Sequence, residues 1–103
     1  MQEEKKNYLK QYIYQEIRIQ SLSELALLNP ERESEYYEKI EKCKLLRQEI
    51  EEKISNMEDF LLKEVLTQKY IFGRTLEETA LTLNYSKRHI ERLHLKALEK
   101  FEI

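Results

Sequence analysis

Thr75-Leu76-Glu77-Glu78-Thr79-Ala80-Leu81-Thr82-Leu83-Asn84-Tyr85-Ser86-Lys87-Arg88-His89-Ile90 is the stretch whose reading decides the fold. Thr75 and Glu78 stand three residues apart, the spacing of a capping box that opens a helix. Asn84 is, after glycine, the residue best suited to a left-handed turn, so it ends that helix. Ser86 then caps a second helix, expected to run to about Lys100. Two short helices joined by a tight turn are how a helix-turn-helix presents its second helix to the major groove.

On a wheel of about 100° per residue, the second of these helices divides cleanly. Ile90, Leu93, Ala97, Leu98 and Phe101 fall on one side, and Arg88, Arg92, Lys96 and Glu99 fall opposite. Lys87, His89 and Glu91 flank the outer stripe near its N-terminal end. A recognition helix contacts base edges mainly through its first turns. Long donors are needed there, and an arginine can address guanine O6 and N7 with two bonds at once.

Working outward, Gly73 is the only glycine, placed where a preceding helix needs a left-handed C-terminal residue. That third helix is expected over about 57–72, carrying Phe60, Leu61, Val65, Leu66, Tyr70 and Ile71. Further back, a first helix over about 3–28 and a second over about 31–55 are separated by Asn29-Pro30. Asn29 is read as an N-cap and Pro30 as a first-turn proline. The short connection favours an antiparallel hairpin. Tyr36, Ile40, Cys43, Arg47, Ile50, Ile54, Met57 and Leu61 alternate by four and three residues, a coiled-coil seam with one polar position. Arg47 there either snorkels to solvent or fixes register. Ser55-Asn56 weakens the pattern, Asn56 with Asp59 resembles a capping pair, and a break is expected near 55–57. The expected organisation is therefore all-α, with a helical hairpin at 1–56 for dimerisation or partner binding and a helix-turn-helix domain at 57–103. Ile19, Leu28, Tyr37 and Leu45 lie off the hairpin seam and need another surface to cover them.

Composition supports this and excludes other classes. Charged residues make up 37% of the 103, with one Gly and one Pro, which suits long amphipathic helices rather than strands. The single Cys43 rules out an internal disulfide and a cysteine-based zinc cluster, and its place in the seam marks a structural thiol. No apolar run approaches the ~20 residues of a membrane span, and the N-terminus has no signal-peptide pattern, so a cytoplasmic protein is expected. The net charge of −2 argues against a general polyanion binder, but the charge is unevenly spread. Residues 1–60 carry 10 basic and 14 acidic groups; residues 86–100 carry five basic and two acidic. Positive charge is concentrated where a DNA-facing helix needs it.

The C-terminal pattern resembles the helix-turn-helix of sigma-70 region 4, especially the small region-4-like regulators of bacteriophages and mobile elements of low-GC Gram-positive bacteria. The resemblance covers about residues 60–101 and is carried by Tyr70-Ile71-Phe72-Gly73-Arg74-Thr75-Leu76-Glu77-Glu78-Thr79-Ala80 and Asn84-Tyr85-Ser86-Lys87-Arg88-His89-Ile90. It puts Ala80 at the helix crossing and Asn84 at the turn. Leu83, Tyr85, Ile90 and Leu93 take the apolar contacts. Thr79 departs from the β-branched apolar residue usual at its place by adding a hydroxyl. The base or phosphate contacts implied map to Ser86, Lys87, Arg88, Glu91 and Arg92, with Lys96 nearer the backbone and His89 at phosphate.

Other candidate sites are weaker. His89 and His94 are five residues apart, a poor spacing for a shared metal, and His94 falls near the apolar side as a packing residue. Tyr8, Tyr12 and Tyr14 could stack bases, but acidic surroundings and helical spacing favour core or interface packing. Glu49, Glu51 and Glu52 read as a solvated face. No phosphate-cradling loop or catalytic triad is present, so neither an enzyme nor a cofactor is expected. The expected function is sequence-specific double-stranded DNA binding in transcriptional regulation, as a homodimer through the N-terminal helices. The alternative is a protein-interaction adaptor for RNA polymerase, a recombinase or a repressor.

Overall fold

The computed structural model describes residues 2–103, which are helical throughout with short links and no strand among them. Helix α1 spans Gln2–Leu28, a 3-10 turn Pro30–Arg32 follows, and α2 spans Glu33–Ser55. Helix α3, Phe60–Leu66, runs into a π-helical turn at Thr67–Ile71. Helices α4, Leu76–Leu83, and α5, Lys87–Lys100, complete the chain. The molecule is elongated, 52 × 25 × 21 Å. No described helix is long and apolar enough to cross a membrane.

The first two helices pair antiparallel. Tyr8 donates to Glu49, Tyr12 donates to Glu51 at 2.6 Å, and Arg47 Nη1 lies 3.6 Å from Glu16 Oε1. Nearer the turn, Leu22, Ala26, Tyr36, Ile40 and Cys43 form one buried cluster, with Ile19 packed against it. The seam read from the sequence is thus buried at Tyr36, Ile40, Cys43, Ile50 and Ile54. Arg47 is half-buried, reaching outward to Glu16 with its guanidinium 6.0 Å from the Tyr12 ring centroid.

Several local expectations differ. Ile19, read as lying off the hairpin seam, packs against the hairpin's own cluster. Asn29 does not cap the second helix; its Nδ2 donates to the Leu25 carbonyl at 2.9 Å and closes α1 instead. Asn56 ends α2, while Asp59 alone caps α3 by accepting from the Leu62 amide at 3.0 Å. That cap shifts the start of α3 to Phe60, so Leu62 is buried while Phe60 is exposed, and the seam passes from Ile54 to Leu62 rather than to Leu61. Glu49 and Glu51, read as a solvated face, are acceptors for the two tyrosines of α1.

The main core joins both ends of the chain. Leu9 and Tyr12 of α1, Ile50 and Ile54 of α2, Leu62, Leu66 and Tyr70 of the third segment, and Ala97, Leu98 and Phe101 form one buried cluster. Lys5 reinforces it by donating to the carbonyls of Leu98 at 2.9 Å and Glu99 at 3.2 Å, a cation placed at the negative end of α5. Within this region Tyr70 Oη and His94 Nε2 are 2.7 Å apart and both residues are buried. Burial pushes the Tyr70 phenol up to about 12, so it keeps its proton beside the ring. Burial, with Lys69 and Lys6 close by, pushes the His94 imidazole from its ordinary 6.5 down to about 4. His94 is therefore a neutral packing residue, hydrogen-bonded to Tyr70 through Nε2.

The sign of the linkage follows. Between 6.5 and about 4 the unfolded chain binds a proton at His94 that the folded chain refuses. This contribution to stability is complete above the upper value and declines as pH falls through the window. Urea melts should show a loss of roughly 2–3 kcal/mol attributable to His94 across that range. His94→Gln should flatten it; an unchanged slope in that variant would show that other groups carry the acid sensitivity.

Candidate nucleic-acid interface

The C-terminal unit is assembled from local signals that each satisfy exposed backbone groups. A side-chain chain from Glu64 through Gln68 to Arg74 stiffens the link out of the π-turn: Gln68 Nε2 donates to Glu64 at 3.0 Å and Arg74 donates to Gln68. Gly73 adopts φ 68° beside it. Its missing Cβ would sit 3.6 Å from Ile13 Cδ1, so the backbone conformation, not space, calls for glycine. The Thr75–Glu78 capping box is complete in both directions, at 3.0 and 2.8 Å. The backbone hydrogen bond from Thr75 holds the Glu78 carboxyl below the usual range.

Asn84 lies in the left-handed region, φ 62° and ψ 45°. The Tyr85 amide returns to the Ala80 carbonyl at 3.0 Å, which closes α4. Ser86 then caps α5 by accepting from the His89 amide at 3.1 Å. Val65, Ala80 and Ile90 form the small core under this crossing, with Leu76, Leu83 and Leu93 against it. The Thr79 hydroxyl is buried and donates to the Thr75 carbonyl at 2.9 Å, so it leaves nothing unpaired.

This frame fixes the stripe of α5. Ile90, Ala97, Leu98 and Phe101 are buried and Leu93 is half-buried, while Arg88, Glu91, Arg92 and Lys96 are exposed. Among the described residues no carboxylate pairs with Arg88, Arg92 or Lys96. Lys87 differs: its Nζ lies 3.0 Å from Glu77 of α4 and 4.0 Å from Glu91. The hydrogen bond to Glu77 raises its pKa, and its charge is partly answered within the chain. His89 is half-buried with its ring centroid 4.8 Å from that of Tyr85. Ser86 is committed to its cap through Oγ but is itself exposed. The seven predicted residues therefore lie on the first three turns of α5 and its cap, but only three offer unpaired positive charge.

Lys100 extends the stripe and was missed from the sequence, although 88, 92, 96 and 100 share one four-residue spacing. Lys96 and Lys100 line a groove of ≈ 760 Å³ together with Lys53, Glu58, Asp59 and Glu102. No group of three metal-ligating side chains occurs among the described residues. Comparison with protein-family models, curated proteins and solved structures returned no match.

Asn84 is the one non-glycine among the described residues at positive φ. Asn84→Ala should lower stability by roughly 1 kcal/mol, while Asn84→Gly should leave it unchanged or higher. Denaturant midpoints for the two variants check this, and equal losses in both would show that the Asn side chain, not its backbone angle, matters.

Proposed function

We propose that the protein is a sequence-specific double-stranded DNA-binding regulator of transcription, with α5 as its recognition helix. The observation that carries this reading is the exposed, unpaired Arg88–Arg92–Lys96 stripe, set on a helix whose opposite side is buried. Its fold is read as a helical hairpin, α1 and α2, bearing a helix-turn-helix of the sigma region 4 type, α4 and α5. The left-handed residue between those helices and the apolar Val65–Ala80–Ile90 crossing suit that reading. A phage or mobile-element origin follows from the sequence resemblance alone.

The chemistry assigns different tasks along the helix. Arg88 and Arg92 stand on successive turns and carry the planar donor fork that reads guanine in the major groove. Lys96 and Lys100 continue toward the phosphate backbone as point charges. The amides at the Ser86 cap suit a phosphate at the positive end of the helix dipole. Lys87, bridged to Glu77, tunes the field without reading a base. The acidic α1–α2 pair repels DNA and so favours one orientation of the duplex.

A second reading, as an adaptor that docks on another protein, draws on Leu81, which stands 84% exposed on α4 beside Glu77 and Glu78. The two readings separate on salt and on the arginines. Arg88→Ala and Arg92→Ala should each weaken cognate-duplex binding by about 1–3 kcal/mol while circular dichroism stays unchanged. Log affinity should fall linearly with log salt at a slope near −0.9 per neutralised phosphate. A flat salt response with full affinity in both variants would hand the function to the adaptor reading.

A further inference from the structure

Helix α1 carries two seams on opposite sides. Leu9, Tyr12, Ile19, Leu22 and Ala26 pack inward with α2. Lys10, Tyr14, Ile17, Ser21, Glu24 and Leu28 also alternate by four and three residues, and this seam faces solvent. Tyr14 is 54%, Ile17 59% and Leu28 78% exposed. Three of these six positions are apolar, so this side of α1 is an exposed, partly apolar stripe with polar residues between. The α2 seam from Tyr36 to Ile54 cannot serve between chains, because it is consumed inside this one.

We propose that two copies of the chain pair through this outer seam, α1 against α1, antiparallel about a two-fold axis. The proposal supplies the interface for the dimer of the regulator reading, and rests on that reading for its biological use. The seam is self-complementary in that arrangement. Lys10 faces Leu28 of the second copy, Tyr14 faces Glu24, and Ile17 faces Ser21, each contact occurring twice. Tyr-to-Glu bonds already join α1 to α2 at Tyr8–Glu49 and Tyr12–Glu51; Tyr14 and Glu24 repeat that chemistry between chains.

Two further observations converge on the same end of the seam. A cavity of ≈ 260 Å³ lies there, lined by Lys10, Ile13, Tyr14, Lys69 and Tyr70. An antiparallel partner brings its exposed Leu28 over that cavity. Lys6, Lys10 and Lys69 also gather at this end, where among the described residues the one carboxylate paired with them is Glu3, 3.7 Å from Lys6. Burial, with Lys10 and Lys6 nearby, lowers the Lys69 pKa. The second copy delivers Glu24, with Glu31 just beyond Leu28, into this surplus of positive charge. The basic end of α1 thus meets the acidic end of its twin.

The test is the mass of the full-length chain in solution by light scattering and sedimentation, at tens of micromolar. The expected result is a dimer. Ile17→Glu should raise its dissociation constant by roughly tenfold or more with helical content unchanged, since Ile17 has no internal packing role. Lys10→Glu should weaken the dimer by adding a carboxylate where the second copy delivers Glu24 and Glu31. A wild-type monomer, or a dimer indifferent to both Ile17→Glu and Lys10→Glu, would overturn the proposal. Binding of monomeric Ile17→Glu to a single half-site duplex is measured beside it. Loss of duplex binding by the wild-type dimer would sink the DNA reading and leave this interface standing.

Discussion

The placement of α5 depends on one buried cluster at its C-terminal end. Phe101, Leu98, Leu9, Ile50 and Leu66 have no exposed surface, and they come from both ends of the chain and from its middle. Burying a large apolar side chain is worth about 1.5–3 kcal/mol, so five such residues outweigh any single polar contact in the fold. Lys5 adds direction to this packing by bonding the last carbonyls of α5. A helix of 14 residues is marginal alone in water. Anchored at Phe101 and capped at Ser86, it becomes a rigid rod with a defined outer side.

The outer side of α5 is free because the inner side is used in packing. Ile90, Ala97 and Leu98 face the core, which leaves Arg88, Arg92 and Lys96 pointing to solvent. The electrostatics follow from composition at short range rather than from net charge. A chain of net charge −2 still carries a local excess of positive charge on α5, where residues 86–100 hold five basic and two acidic groups. Where acidic groups do reach the stripe, at Glu77 and Glu91, they engage Lys87 and leave the arginines alone.

Much of this was legible from the sequence, and the reasons are local. Gly73, the Thr75–Glu78 box, Asn84 and Ser86 each satisfy nearby backbone groups, so neighbouring residues suffice to read them. The periodicity from Tyr36 to Ile54 and the two sides of α5 were legible for the same reason. What failed depended on competition or distance. Asn29 had two helix ends to serve and took the carbonyl of α1. Asp59, not Asn56, won the start of α3, which exchanged Leu62 for Phe60 in the core. The π-turn at Thr67–Ile71, the Lys5 contact with α5 and the tyrosine bonds to Glu49 and Glu51 join residues far apart in sequence or depart from regular spacing. No window of neighbouring residues encodes them.

The central claim is that α5 meets duplex DNA through its outer side. The most direct measurement is amide chemical-shift mapping of the full chain titrated with a duplex selected from a random pool. The account predicts perturbations concentrated from Ser86 to Lys96, with α1 and α2 quiet. Perturbations confined to the outer side of α4 or to α1, or none at saturating duplex, would contradict it.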